Sequence, residues 1–120
     1  MKKLRILIVE DDVMARMTLE NMLTEMAPVA IVAHRTVDSA VGTLRERFDF
    51  AFLDTKVADG ETFGLAYALA ARGVPFAFVT DRPRDEMPRA WLSYPLVSKP
   101  PRRIAVRRAL LHAEDYLLVA

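Results

Sequence analysis

Four separated pieces of this 120-residue chain carry side chains that could do chemistry together. Glu10-Asp11-Asp12 follows the apolar run Ile6-Leu7-Ile8-Val9. Asp54 follows Phe50-Ala51-Phe52-Leu53, Thr80 follows Phe76-Ala77-Phe78-Val79, and Lys99-Pro100 follows Leu96-Val97-Ser98. Each polar group stands where a short hydrophobic strand runs out. In an open parallel sheet the carboxyl ends of the strands are where ligands bind. Carboxylates, a hydroxyl and an amine gathered there suggest metal-assisted phosphoryl transfer. Two like charges about 4 Å apart repel by about 4 kcal/mol at an effective dielectric of about 20. A cluster of Asp11, Asp54 and either Glu10 or Asp12 therefore needs a cation, and oxygen-only ligands with room for waters suit Mg²⁺. An aspartate carboxylate can serve as the nucleophile. Lys99 can balance a phosphoryl oxygen or pair with Asp54, and the Thr80 hydroxyl can donate to another oxygen. Taken singly, an Asp after a strand is a turn or cap residue, and a single Thr or Lys says less. The joint pattern carries the reading.

The elements that must position these groups alternate in type, as in a doubly wound α/β domain. Strands are expected at Arg5–Val9, Val29–Ala33, Phe50–Leu53, Phe76–Val79 and Leu96–Ser98. A first helix is expected over Val13–Met26, with Met14, Met17, Leu19, Met22, Leu23 and Met26 forming one buried stripe. The methionines in that stripe read as core filling. A second helix is expected over Val37–Arg47, capped by Thr36 or Asp38. Asp59-Gly60 supplies turn chemistry, and a third helix over Thr62–Ala71 ends near Gly73. Two prolines among charged residues in 81–88 leave any fourth helix short or irregular. Pro101 can open a last helix that buries Ile104, Ala105, Leu110, Leu111 and Leu118.

Bulk composition narrows the classes. The chain is one domain in length and 52% hydrophobic, enough for a core. No stretch could span a bilayer, and Glu10-Asp11-Asp12 cuts the first apolar run too short for a secretion signal. There is no cysteine, hence no disulfide or thiolate metal site, which fits a cytoplasmic location. Net charge is +1, giving no global pull toward nucleic acid. Arg102, Arg103, Arg107 and Arg108 crowd the last segment, with Arg82, Arg84 and Arg89 before it. They form either a solvated helix face or a docking surface for an acidic partner. His34 and His112 lack a second ligand at metal spacing. There is no nucleophile–base set for hydrolysis and no Gly-rich phosphate loop.

The ordered set Leu7-Ile8-Val9-Glu10-Asp11-Asp12, Phe52-Leu53-Asp54, Asp59-Gly60, Phe78-Val79-Thr80 and Ser98-Lys99-Pro100 resembles the receiver domain of bacterial two-component response regulators, the CheY-like family. The likeness spans the chain. It implies a flavodoxin-like five-stranded parallel sheet of order 2-1-3-4-5 over residues 1–120, with no output domain. It further implies Asp54 as phosphoacceptor, and Mg²⁺ held by Glu10 (through water), Asp11, Asp54 and the Lys56 backbone carbonyl. Thr80 and Lys99 would be the switch residues, and the Lys99-Pro100 bond would be cis. The implied partners are a sensor histidine kinase or a histidine phosphotransfer protein, a downstream protein and a second copy of the chain. No nucleic acid or membrane is implied. Ala66-Tyr67-Ala68-Leu69-Ala70-Ala71-Arg72-Gly73-Val74-Pro75-Phe76, with Met87-Pro88 and Trp91 further on, is similar to the FATGUY-type receivers, which are often stand-alone and served by HWE or related histidine kinases.

The chain departs from that pattern in places. Asp81 replaces a Gly after the Thr, where it would repel an incoming phosphate or hold Arg82 or Lys99. Leu96 stands where many receivers carry an aromatic switch residue, with Tyr94 two positions earlier. Ala58 replaces a frequent Pro, and Lys56 lies two residues after Asp54. These departures motivate a second reading, a binding module without a phosphorylation cycle. A third reading, a small aspartyl-phosphate phosphatase, wants an Asp where Lys56 stands and a cap domain that the chain lacks.

Overall fold

The computed structural model describes the backbone of residues 2–119 and side-chain environments as far as His112. In chain order the elements are β1 (Leu4–Val9), α1 (Val13–Met26), β2 (Val29–His34), α2 (Val37–Val41) and β3 (Phe50–Leu53). A small hairpin follows, β4 (Lys56–Val57) and β5 (Gly60–Glu61), then α3 (Phe63–Ala71) and β6 (Phe76–Thr80). Two single 3₁₀ turns, Arg84–Glu86 and Arg89–Trp91, precede β7 (Leu96–Ser98) and α4 (Arg103–Val119).

The main sheet has five strands in the order β2-β1-β3-β6-β7. All its pairings are parallel. This is the expected 2-1-3-4-5 order, once the hairpin strands β4 and β5 are set aside. Parallel sheets need both faces covered, and the sequence alternates to supply both. Leu7, Val9, Ala51, Leu53, Phe76 and Phe78 pack on one side with Leu65 and Leu69 of α3. Ile6, Ile8, Phe50, Phe52, Ala77 and Val79 pack on the other, with Leu19 and Leu23 of α1 and Val106 and Ala109 of α4. Each buried large side chain contributes roughly 1.5–3 kcal/mol, so the three central strands anchor the frame from which the polar strand-end groups project.

Several expectations are corrected. The α1 stripe is narrower than its methionines suggest: Leu19 and Leu23 are buried, whereas Met14 and Met17 stand exposed. In α4 the buried side is Val106 and Ala109, while Ile104 and Leu111 face outward. Leu118 lies outside the residues whose side chains are described. The second helix stops at Val41 instead of Arg47. Beyond it the Thr43 and Leu44 amides turn back only three residues, to Ala40 and Val41. Gly42 weakens the helix there, and the Thr43 hydroxyl also donates to the Ala40 carbonyl. Thr36 is the cap, its hydroxyl accepting from the Ser39 amide at 3.1 Å. The irregular fourth segment is as expected: Pro83 and Pro88 each precede a single turn. Trp91, 4% exposed, pins that segment against Phe76, Phe78 and Tyr94.

Candidate functional site

Parallel register carries the acidic groups to one edge. The Glu10 amide donates to the His34 carbonyl at 3.0 Å and the Asp54 amide to the Val9 carbonyl at 3.0 Å. Both residues therefore leave neighbouring strands side by side. Carboxylate oxygens of Glu10, Asp11 and Asp54 lie within 4.8 Å of one another. Among the described residues this trio is the group that could hold a metal ion. Asp12 takes another job: its carboxylate caps α1 by accepting from the Ala15 amide at 3.0 Å. Between Glu10 and Asp12 as companion to Asp11 and Asp54, the fold selects Glu10.

Lys99 arrives from the far side. Register pairs Ser98 with Thr80 across β6 and β7, and the Lys99 amide donates to the Thr80 carbonyl at 2.9 Å. The Lys99–Pro100 bond is cis. The ammonium reaches Asp54 Oδ2 at 2.8 Å and Glu10 Oε1 at 2.5 Å. Glu10 is only 5% exposed, and this burial, the largest cause, pushes its carboxyl up to about 7. The hydrogen bond from Lys99 opposes the rise, whereas Asp54 adds to it. Burial alone would lower the Lys99 ammonium, but its bonds to Asp54 and Glu10 outweigh that and hold it above its ordinary value. One cation thus faces three carboxylates, so the cluster carries fewer positive than negative groups.

Thr80 is 1% exposed, and its hydroxyl is engaged by groups other than the carboxylates. It lies 3.0 Å from the hydroxyl of Thr55, itself 3% exposed, and accepts from the Arg82 amide at 3.0 Å. Lys56 is exposed at the start of β4. The loop after Asp54 is fastened by Thr62, which is fully buried. Its hydroxyl donates to the Asp54 carbonyl at 2.5 Å and its amide to the Thr55 carbonyl at 3.0 Å.

Sequence reasoning missed Thr55, Thr62 and one role of Asp59. Asp59 accepts from the Val37 and Asp38 amides at 2.7 and 3.0 Å, tying the hairpin to the start of α2. Thr55 carried one signal, a hydroxyl next to the candidate nucleophile, but nothing in the chain links position 55 to position 80. Asp81 does not hold Arg82 or Lys99, contrary to expectation. It is exposed, while Arg82 pairs with Glu61 at 3.6 Å and lies over the Phe63 ring. Tyr94 falls outside β7 and stacks on Phe76 with ring centres 4.8 Å apart. His34 bonds the Thr43 hydroxyl, as a structural histidine would.

No protein-family model matches the chain, and no curated protein matches it. Solved structures do. SdrG from Sphingomonas melonis Fr1 is 32% identical, with a TM-score of 0.77 over 95% of this chain and 99% of that one. The chain belongs to the CheY-like response regulator receiver domains. A beryllofluoride-activated conformation of SdrG, from Pseudomonas melonis Fr1, is 34% identical with a TM-score of 0.76 over 92% and 97% of the two chains. A CheY-like receiver domain from Methylobacillus flagellatus shares the fold at 20% identity and a TM-score of 0.79, over 93% and 99%. Glu10, Asp11, Asp54, Thr80 and Lys99 all stand at the carboxyl ends of strands of the main sheet. None of the described helices of this receiver is long and apolar enough to cross a membrane.

Proposed function

We propose that this receiver accepts a phosphoryl group on Asp54 from a phosphohistidine, with Mg²⁺ bound, and passes the signal on through protein contacts. The observation that carries this reading is the Glu10–Asp11–Asp54 trio within 4.8 Å, faced by Lys99 at 2.8 Å from Asp54. Three carboxylates face one ammonium, and burial holds the Glu10 carboxyl up at about 7 in spite of its bond to Lys99. An all-oxygen set short of positive charge fits Mg²⁺. Glu10, Asp11, Asp54 and the Lys56 carbonyl would hold it. When bound, the ion supplies charge neutralisation for the phosphoryl oxygens.

The chain's own residues do the rest. An Asp54 carboxylate oxygen attacks phosphorus and forms the acyl–phosphate O–P bond. The P–N bond of the donor breaks, and the imidazole nitrogen keeps the electron pair. Lys99, already bonded to Asp54, stays beside the nucleophile and balances charge on a phosphoryl oxygen. Thr80 offers a hydroxyl to another. Water attack on phosphorus returns Asp54 and releases phosphate. SdrG, with its beryllofluoride-activated form, supports such a cycle by likeness. The donor would be a sensor histidine kinase, of HWE type if the FATGUY likeness holds, or a histidine phosphotransfer protein. The setting would be the cytoplasm.

The test is phosphotransfer from a cognate labelled kinase, with Mg²⁺ and with chelator. The parent should be labelled only with Mg²⁺, and Asp54→Asn should stay unlabelled while melting as a folded domain. Full-rate labelling of Asp54→Asn would remove the assignment.

A further inference from the structure

The buried Thr55–Thr80 hydroxyl pair starts one residue along the chain from Asp54, and its placement bears on how the site responds once loaded. Thr80 Oγ1 has two lone pairs and one proton. One lone pair takes the Arg82 amide at 3.0 Å, and the Thr55 hydroxyl lies 3.0 Å away. Neither neighbour is loose. The Thr55 backbone is fixed by the Thr62 amide, and Arg82 is fixed by Glu61 and the Phe63 ring. Among the described hydrogen bonds none joins the Thr80 hydroxyl to Asp54 or to the Lys99 ammonium; the carboxylate and the ammonium bond each other. The Thr80 hydroxyl is therefore held from two sides in a buried position, without a hydrogen bond to the acceptor carboxylate among the described ones.

We infer that Thr55 is a latch on Thr80. Its hydroxyl stabilises the resting orientation, so Thr80 must give up this bond before it can donate to a group bound on Asp54. The inference rests on the receiver reading above. In the resting protein the two buried hydroxyls satisfy each other. In the loaded protein Thr80 gains a charged acceptor and Thr55 loses its partner. Replacing Thr55 by valine keeps the shape and removes only the resting bond. The resting state then holds a buried Thr80 hydroxyl that keeps only the Arg82 amide as a partner, an arrangement that lowers stability. The loaded state has less to lose. Stability and ligand affinity should therefore move in opposite directions, which a purely structural role for Thr55 would not produce.

The experiment titrates the parent, Thr55→Val and Thr55→Ser with beryllofluoride plus Mg²⁺, reading Trp91 fluorescence and melting temperature. Thr55→Val should bind roughly fivefold more tightly than the parent, equivalent to about 1 kcal/mol, while melting lower without ligand. Thr55→Ser, which keeps the hydroxyl, should match the parent. In a Thr80→Ala background the valine change should no longer alter affinity. Equal or weaker binding by Thr55→Val, or a gain that persists without the Thr80 hydroxyl, overturns the latch. A second readout needs no variant: the Thr80 methyl resonance of the parent should shift to a new side-chain rotamer on loading. An unchanged rotamer overturns the latch even if Thr55→Val does not fold. If the parent shows no response to beryllofluoride in fluorescence, melting or resonance position, the receiver reading itself has failed.

Discussion

Replacing Lys99 by methionine removes the cation that, among the described residues, is bonded to the acidic trio, while keeping an unbranched side chain. In the parent its ammonium touches Glu10 and Asp54 at 2.5 and 2.8 Å. Without it, carboxylates within 4.8 Å of one another face each other alone. At an effective dielectric of about 20, two such charges repel by about 3.5 kcal/mol, a repulsion the ammonium offsets in the parent and methionine does not. That is a large share of a domain's usual stability of roughly 5–15 kcal/mol. For a chain of this length it corresponds to a loss of roughly 10–15 °C in melting temperature. The cost depends on protonation. The Glu10 carboxyl, already raised to about 7 by burial, rises further without Lys99, so at pH 6 it takes a proton and escapes most of the repulsion. The deficit should therefore be several-fold larger at pH 8 than at pH 6. It should shrink by more than half with saturating Mg²⁺. Thermal melts of parent and variant, in chelator and in Mg²⁺ at both pH values, measure this directly. A variant that melts with the parent at pH 8 in chelator, or a deficit indifferent to Mg²⁺, would refute the electrostatic account of the site.

Glu10 itself should shape the pH dependence of the metal-free protein. Its carboxyl is held up in the folded state, so between pH about 4.5 and about 7 the folded chain binds more protons than the unfolded one. Stability should fall as pH rises through that window, by at most about 3 kcal/mol. Glu10→Gln should flatten the slope in urea melts yet weaken Mg²⁺ binding at pH 8; a slope unchanged by the substitution would contradict the assignment. Trp91→Ala should cost about 3–5 kcal/mol, because the ring fills the contact with Phe76, Phe78 and Tyr94 that holds the irregular segment. A denaturant midpoint close to that of the parent would show that the segment is not held this way.

What the sequence made legible follows from the kind of signal each feature leaves. The strand pattern is strong because a parallel sheet covered on both faces demands short continuous apolar runs, and Phe50–Leu53 and Leu96–Ser98 appear as read. The strand ends then locate Glu10, Asp11, Asp54 and Lys99 together, since parallel register places the termini of neighbouring strands at one edge. Helical amphipathicity is less reliable. In α1 the spacing of Met14 and Met17 looks like core, yet the helix needs only Leu19 and Leu23 fully buried, with Met22 and Met26 partly so. The end of α2 turns on Thr43 competing for the Ala40 carbonyl, a local choice that periodicity does not show. The threonines were hidden for a different reason. Thr55 and Thr62 act through single hydrogen bonds to groups far along the chain or across a loop, and such pairings leave no spacing rule.

The central claim, an aspartyl phosphoacceptor served by a cation-binding acidic trio, is tested most directly by mass spectrometry. The protein is incubated with acetyl phosphate or phosphoramidate, with Mg²⁺ or with chelator, and the modified peptide is mapped. The account predicts a single added phosphoryl group, located on Asp54, formed with Mg²⁺ and absent without it. No adduct under any of these conditions, or an adduct that maps elsewhere and survives in Asp54→Asn, would contradict it.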